Sequence, residues 1–131
     1  MNEKLAQRVI QALIDTGVNE YCICGGSRNS HLCVTVVDQP FLKYYNWPEE
    51  RSASFFALGR AKESKKPVAV IVTSGTAAGE LLAAAMEAHY TGVPLIYVTA
   101  DRPRRYRHSG APQSAEMVEM FGMYAHHFQD I

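Results

Sequence analysis

The sequence has no net charge, no long apolar run and no secretory signal. Its 13 Lys and Arg balance 13 Asp and Glu, so no overall field favours nucleic acid or an anionic membrane. The apolar runs, such as Val68–Val72, fall far short of the ~20 residues that cross a bilayer. The amino terminus lacks a basic region followed by an apolar stretch. We therefore expect a cytoplasmic protein that binds neither nucleic acid nor a membrane.

Cysteine is scarce, and neither cysteine nor histidine recurs at the spacing of a metal site. The three cysteines, Cys22, Cys24 and Cys33, cannot all pair, and a C-x-C spacing matches neither a zinc knuckle nor a C-x-x-C redox motif. Because free cysteine is usually interior, we predict buried thiols. The five histidines are scattered, so we predict no metal site in this chain. The G-x-G-x-x-G and G-x-x-x-x-G-K-[ST] motifs are also lacking, which argues against nucleotide sites of those two kinds.

What the sequence does have is a globular composition and an alternation of predicted elements. Apolar residues make up 47% of the 131 residues and charged residues 20%, close to globular averages. Asn2 is the expected N-cap of the first helix, and Gly17 and Gly92 are expected helix stops. Periodicity predicts helices over 3–16, 30–37, 76–90 and 113–121, and one that opens at Pro48 and ends at Lys65–Pro67. It predicts strands over 21–24, 41–45, 68–72, 94–99 and 125–130.

This alternation predicts an α/β fold in three layers, with a parallel sheet flanked by helices and with residues 1–131 forming a single domain. In open α/β sheets, ligands collect at the carboxyl ends of the strands. In this chain those ends are the loops 24–30, 46–50, 73–76 and 100–113. We therefore look for a binding site at the edge where these four loops leave the sheet.

Each of these loops carries groups suited to a ligand, and each also has an ordinary structural interpretation. Gly25–Ser30 could bind an anion or form a turn with a helix cap. At Pro48–Arg51, the helix dipole favours carboxylates with or without catalysis. Thr73–Thr76 could form an N-cap with a tight turn, or could present hydroxyls and amides to a ligand. The four arginines of Asp101–His108 suggest an anion site or an interface, against a solvated loop.

Three segments resemble, in order and at matching separations, the amino-terminal pyrimidine-binding (PYR) domain of thiamine-diphosphate enzymes. They are Glu50–Lys62, Pro67–Ala78 and Pro94–Pro103. The resemblance extends from about residue 4 to the end and is most specific to the carboligases of menaquinone biosynthesis. It implies a PYR-type domain of an enzyme that decarboxylates 2-oxoglutarate and adds the succinyl-semialdehyde unit to isochorismate.

The resemblance also implies which residues meet the cofactor, thiamine diphosphate. In that family, the glutamate before the Arg-Ser-Ala helix start contacts N1′ of the cofactor's aminopyrimidine ring and shares a proton with it, which implicates Glu50 as the catalytic residue. The turn after the third strand is assigned to the cofactor as well. Its residues are Thr73, Ser74, Gly75 and Thr76.

The family's Ser-Arg pair and Asp-Arg-Pro loop help to bind anionic substrates, which implicates Ser27, Arg28 and Arg102. The Gln of its Gly-Ala-Asn-Gln segment corresponds to Gln113, although Pro112 stands where the family has Asn. A guanidinium can hold a carboxylate through two parallel hydrogen bonds, which suits 2-oxoglutarate and isochorismate. The first loop also departs from the family, because it reads Cys-Gly-Gly-Ser-Arg-Asn-Ser rather than a Pro-Gly-Ser-Arg-Ser type.

The sequence contains no Gly-Asp-Gly followed by Asn, the motif with which the family's other half, the PP domain, holds Mg²⁺ and diphosphate. The resemblance therefore implies that Mg²⁺ is bound by a PP domain, and that this chain is an excised domain or one subunit of a split enzyme. It also implies a homo-oligomer, which associates through the strand-end loops and the small residues of helix 76–90. Those residues are Ala77, Ala78, Gly79, Ala83, Ala84 and Ala85.

Two other functions remain open from the sequence. Another thiamine-diphosphate 2-oxoacid decarboxylase or synthase would keep the role of Glu50 and use the arginine loops for a different acid, and Pro112 favours this alternative. A non-catalytic binding or assembly module would use the sheet edge and the arginine loop for a partner protein. The lack of the diphosphate motif is the main support for the second alternative.

Overall fold

The computed structural model describes residues 2–131 and has a sheet of four parallel strands between helices. The strands lie in the order β2-β1-β3-β4, and their ranges are β1 Glu20–Ile23, β2 Lys43–Asn46, β3 Val68–Val72 and β4 Leu95–Thr99. The helices are α1 Glu3–Asp15, α2 Ser30–Val37, α3 Glu50–Ser64, α4 Thr76–Gly79 and α5 Leu82–Thr91. The predicted α/β architecture with a flanked parallel sheet is confirmed.

The central strand β3 divides the core into two halves. All five of its residues are buried, as expected for a strand covered on both faces. Val68, Val70 and Val72 pack with the alanines of α3, whereas Ala69 and Ile71 pack with α1 and α2. This alternation follows from the two-residue period of a strand, and it fixes which helices cover each face.

The ends of α1 and α5 follow the signals in the sequence. Asn2 accepts a hydrogen bond from the backbone N–H of Leu5 at 2.9 Å, which satisfies one of the free amides of the first turn. Gly17 follows the end of α1 with a φ of 90°, and Gly92 ends α5 with a φ of 65°. Both angles lie in the left-handed region that glycine adopts without strain.

Four predicted elements differ from the structure. The second strand occupies Lys43–Asn46 rather than 41–45, because pairing with β1 begins at Lys43 and Phe41 lies exposed in the preceding turn. The helix predicted over 76–90 is broken after Gly79, where the N–H of Leu81 binds the carbonyl oxygen of Ala78, three residues back instead of four. The helix predicted over 113–121 is absent, because Gln113 and Glu119 have φ angles of 57° and 54° that no right-handed helix accommodates. Residues 125–130 pair with no described strand.

The small residues of the predicted helix 76–90 are mostly internal. Four of them are buried in the chain's own core, and the two that remain exposed are Gly79 and Ala83. The buried four are Ala77, Ala78, Ala84 and Ala85.

Strand β4 lies at the edge of the sheet and pairs on one side only within the described residues. Its five residues are half-buried. A cleft of about 1010 Å³ runs along it, between α1, α5 and the segment from Met117 to Ile131. This cleft therefore borders the open side of an edge strand.

The prediction of buried thiols is confirmed for two of the three cysteines. Cys22 and Cys24 are buried and Cys33 is half-buried, and none forms a disulfide. Burial raises the pKa of Cys22 to about 12, so that thiol is protonated and unreactive at neutral pH. Between residues 2 and 131, no helix has the length and apolar character that a bilayer-spanning segment requires.

Candidate functional site

The parallel register brings the carboxyl ends of all four strands to one edge. Ile23 of β1 lies opposite Asn46 of β2 and Ile71 of β3, and Val72 of β3 lies opposite Thr99 of β4. Backbone hydrogen bonds continue past the strand ends, from Trp47 N to Ile23 O at 2.9 Å and from Ala100 N to Val72 O at 3.0 Å. The four loops with unusual chemistry therefore leave the sheet side by side.

The first of these loops is closed by Asn29, which is completely buried. Its amide nitrogen donates to the carbonyl oxygen of Cys24 at 2.8 Å, and its side-chain oxygen accepts from the N–H of Gly26 at 2.7 Å. Asn29 stands just before α2 but makes no capping hydrogen bond with it. The Asn29 side chain thus stabilises the loop instead of capping the helix. In this loop, Ser27 is exposed and Arg28 is half-buried.

The first and third loops touch each other. A β-carbon placed on Gly26 would lie 2.8 Å from the Cβ of Thr73, closer than two carbon atoms pack. Only glycine therefore fits at this position without displacing Thr73. The contact holds the loop that carries Arg28 against the turn that follows β3.

The turn after β3 is not held by a side-chain cap. Gly75 is the residue before α4, its φ is 79°, and no side chain caps this helix, so the N-cap interpretation of Thr73–Thr76 is wrong. The N–H of Gly75 instead donates to Sδ of Met117 at 3.5 Å. A β-carbon on Gly75 would lie 3.3 Å from the carbonyl oxygen of Gln113, so the last of the four loops packs directly on this turn.

Ser74 is the polar residue of this turn that lacks a partner. Its hydroxyl is buried and makes no hydrogen bond with any residue in 2–131. Buried polar groups without a partner are rare in folded proteins and call for an explanation. A polar ligand at this edge would supply the missing partner. Thr73 is half-buried, and Thr76 is exposed at the first position of α4.

The two glutamates at the start of α3 have different surroundings. Glu49 is the N-cap, and its carboxylate accepts hydrogen bonds from the N–H groups of Arg51 at 3.0 Å and Ser52 at 2.7 Å. The hydrogen bond from the Ser52 side chain, followed by those from the backbone, holds the pKa of Glu49 below its ordinary value. Glu50, the first residue of the helix, is half-buried, and its side chain has no hydrogen-bond partner in the described chain. The dipole-based interpretation therefore accounts for Glu49 and leaves the Glu50 carboxylate available.

Glu50 lies close to the end of β1. Burial, and then the negative charges of Glu50 and Glu49, raise the pKa of the Cys24 thiol to about 12. No hydrogen bond of the described residues joins Glu50 to the third or fourth loop. Glu50 thus shares the edge with the other predicted site residues and makes no direct link to them.

Two of the four clustered arginines are neutralised by the end of the chain. Arg107 donates to both carboxylate oxygens of Asp130, at 3.0 and 2.8 Å, and lies 3.7 Å from Asp101. Arg104 approaches Asp130 at 3.2 Å. These ion pairs fasten the last residues to the fourth loop, so Arg104 and Arg107 hold this segment in place.

The other two arginines carry unpaired charge. Arg102 and Arg105 form no ion pair with the described residues, and Nε of Arg102 donates to the carbonyl oxygen of Pro112 at 2.7 Å. Their guanidinium carbons lie 5.8 and 4.8 Å from the ring centre of Tyr106. Hydrogen bonding to Arg105 and its charge, together with the charges of Arg102 and Arg28, lower the pKa of Tyr106. Three arginines from two loops thus create a positive field at this edge.

Several residues that organise this edge give little signal in the sequence. Asn29 and Glu49 stand at helix starts, where a capping role is expected, but which atoms they bind depends on the loop conformation. Met117 and Asp130 lie in segments where the sequence predicted a helix and a strand. Gln113 is exposed and has a φ of 57°. Among residues 2–131, no group of three or more His, Cys, Asp or Glu could hold a metal ion.

The chain is similar to known proteins over most of its length. Residues 3–121 match the family described as thiamine pyrophosphate enzyme, N-terminal TPP binding domain. The chain is 54% identical over 123 residues, 94% of its length, to the 2-succinyl-5-enolpyruvyl-6-hydroxy-3-cyclohexene-1-carboxylate synthase of Bdellovibrio bacteriovorus. Proteins of the same name from Oceanobacillus iheyensis and Listeria monocytogenes serotype 4b are 43% and 44% identical, over 98% and 93% of this chain.

These relatives are much longer than the chain. It spans 23% of the length of the Bdellovibrio and Oceanobacillus proteins and 21% of the Listeria protein. The similarity therefore concerns one part of each relative.

Proposed function

Since the chain belongs to the thiamine pyrophosphate enzyme family, through its N-terminal TPP binding domain, we propose that it forms the pyrimidine-binding side of a thiamine-diphosphate site, as one PYR-type domain. The observation that carries this proposal is the difference in hydrogen bonding between the two glutamates at the start of α3. Both carboxylate oxygens of Glu49 accept hydrogen bonds from the start of the helix, whereas the carboxylate of Glu50 has no hydrogen-bond partner among the described residues. Glu50 is therefore the residue proposed to hold and move a proton at N1′ of the aminopyrimidine ring.

The described residues fit such a cofactor at the strand-end edge. The Ser74 hydroxyl is buried without a partner in the described chain, and the close approach of Gly26 to Thr73 and of Gly75 to Gln113 packs the first and fourth loops against the turn that carries Ser74. When bound, thiamine diphosphate supplies an electron sink for cleavage of a 2-oxoacid beside its carbonyl group. We propose that Thr73–Thr76 orient the pyrimidine ring through hydroxyl and backbone groups and exclude water from it.

The relatives are named as synthases that produce 2-succinyl-5-enolpyruvyl-6-hydroxy-3-cyclohexene-1-carboxylate. We propose the corresponding reaction for the complete enzyme: 2-oxoglutarate loses CO₂, and the remaining succinyl-semialdehyde unit adds to isochorismate. Both substrates carry carboxylates, and Arg28 and Arg102 supply positive charge with no acidic partner in the described chain. Ser27 and Gln113 are proposed to donate further hydrogen bonds to these substrates.

Pro112 takes part in the proposed site through its backbone. The family's Asn is replaced at this position, but Arg102 is held through the backbone carbonyl oxygen of Pro112, which any residue provides. The positioning of Arg102 is therefore independent of the side chain at position 112.

We assign the diphosphate and its Mg²⁺ to a PP domain, supplied by the same polypeptide or by a partner chain. The proposal thus includes a second domain, a homo-oligomeric assembly and action in the cytoplasm. Exposed apolar residues on α3 and α5 offer surface for association, and they include Phe55, Leu82, Met86 and Tyr90.

The test is exchange of the C2 proton of thiamine diphosphate, followed by NMR, in the chain combined with a PP domain. The Glu50→Gln variant should slow exchange by roughly 10²- to 10⁴-fold, the usual contribution of a positioned acid or base. Glu63→Gln is the matched control, because Glu63 is an exposed carboxylate at the other end of the same helix. Wild-type exchange in Glu50→Gln would contradict the proposed function. Preference for pyruvate over 2-oxoglutarate would contradict the substrate and leave the role of Glu50 standing.

A further inference from the structure

The chain that enters α3 is held firmly on both sides of Glu50. Before it, Trp47 donates its backbone N–H to Ile23 of β1 at 2.9 Å, and its ring packs on Phe56 with ring centres 5.0 Å apart. After it, the N–H of Ala53 donates to the backbone carbonyl of Glu49 at 3.1 Å, and Ala53 is completely buried. The position of Glu50 is therefore decided within the few residues between these two anchors.

Within this short segment, the side-chain hydrogen bonds to the backbone all come from Glu49. Its Oε1 accepts from Arg51 and its Oε2 from Ser52, so one carboxylate spans the residues that directly follow Glu50. Four N–H groups at a helix start have no partner inside the helix, and Glu49 satisfies two of them. The Glu49 side chain thus binds the backbone N–H groups that follow Glu50. In this way one side chain restrains the backbone that carries Glu50.

We propose that Glu49 is a positioning residue for Glu50: its carboxylate fixes the first turn of α3 and thereby sets where the Glu50 carboxylate stands at the sheet edge. Glu49 has this role only if Glu50 acts on the cofactor, so the proposal rests on the proposed function. Aspartate is the commoner cap, because its shorter side chain reaches the same amides. Glu49→Asp should therefore preserve these hydrogen bonds, whereas Glu49→Ala removes them.

Two measurements test this role. In the chain alone, Glu49→Ala should make the Arg51 and Ser52 amides exchange with solvent roughly 5-fold faster, as expected for a lost cap. In the chain combined with a PP domain, the same variant should lower kcat roughly 10- to 100-fold, because misplaced catalytic groups lose rate steeply with distance. The KM for the 2-oxoacid should stay unchanged, because the Glu49 carboxylate binds the backbone of α3 and none of the residues proposed to hold the substrate. Glu49→Asp should restore both quantities.

The matched control is Asn2→Ala, which removes a cap bond of the same kind from α1, far along the chain from the site. It should leave kcat unchanged. If Glu49→Ala unfolds the chain, Glu49→Gln takes its place, because it keeps one acceptor oxygen. A kcat within 2-fold of wild type in the folded variant, a failure of Glu49→Asp to rescue, or an equal loss in Asn2→Ala would overturn the proposal. These outcomes differ from failure of the proposed function, in which Glu50→Gln itself leaves C2 exchange unchanged.

Discussion

At the scale of single residues, Asn29 shows how one buried amide can shape a binding loop. It donates to a backbone carbonyl five residues away in the chain and accepts from a backbone N–H three residues away. Both partners lie just past the end of β1, where the N–H of Cys24 still binds Ile71 of β3 at 2.9 Å but the loop that follows leaves the sheet. The side chain therefore replaces the ladder hydrogen bonds that the loop has lost.

Replacing Asn29 by Ala is expected to lower the free energy of unfolding by about 1–3 kcal/mol, because the Cys24 carbonyl and the Gly26 N–H are left without partners. Urea unfolding followed by circular dichroism measures the change. Asn19→Ala is the control, since Asn19 is exposed and contributes only its backbone carbonyl, to Lys43. Equal stability of Asn29→Ala and wild type would show that water replaces the amide.

At the scale of elements, an ion pair between Arg60 and Glu20 joins α3 to the start of β1. Arg60 of α3 donates to both carboxylate oxygens of Glu20, each at 2.9 Å, and the hydroxyl of Tyr45 on β2 approaches the same carboxylate at 3.3 Å. The hydrogen bond from Arg60 is the main cause that holds the pKa of Glu20 below its ordinary value of 4.5. One carboxylate thus joins two strands and a helix.

This ion pair predicts that the stability of the fold depends on pH. A carboxyl whose pKa is depressed in the folded state adds stability above its unfolded pKa, and that stability is lost as the pH falls through the folded value. Arg60→Gln should therefore lower Tm at pH 7, and the difference from wild type should shrink as the pH drops below 4.5. Lys62→Gln, which changes an exposed charge on the same helix, should show no such convergence. Thermal unfolding at several pH values between neutral and acid shows whether the Tm difference between each variant and wild type stays constant or shrinks.

The elements with strong local signals are those that the sequence predicts well. α1 has a cap, an amphipathic period and a glycine stop, and β3 is a run of β-branched and small apolar residues between turns. The segment after β4 lacks such signals, since its course depends on long-range contacts such as Arg107 with Asp130. For the same reason, two adjacent glutamates look equivalent in the sequence, and only the backbone geometry separates the cap from the unengaged carboxylate.

At the scale of the whole molecule, β4 is an edge strand whose open side pairs with no described strand. Edge strands are usually guarded by charge, proline or a covering segment, and β4 has no charged residue. The N–H of Ala100 binds β3, and successive residues of a strand direct their N–H groups to opposite sides. Thr99 therefore directs its N–H to the open side. Val98 presents its own to β3.

The 131-residue chain is therefore expected to self-associate through β4 as its concentration rises. Thr99→Pro removes one N–H from the open edge and should reduce association in sedimentation velocity while the fold is retained. Val98→Pro is the matched comparison, because it removes a hydrogen bond to β3 and should destabilise the sheet instead. A wild-type chain that stays monomeric at every concentration would contradict this expectation.

The strand order also governs the sequence of events in folding. β1 lies between β2 and β3, so Glu20 has Lys43 on one side and Val68 on the other. The second pairing closes a much longer loop than the first, and the entropy lost in closing a loop grows with its length. During synthesis, α1, β1 and β2 leave the ribosome before β3 exists, so the edge of β1 that pairs with β3 stays open. We therefore expect the amino-terminal third of the chain to expose an unpaired strand edge, which favours aggregation, until β3 emerges and completes the sheet.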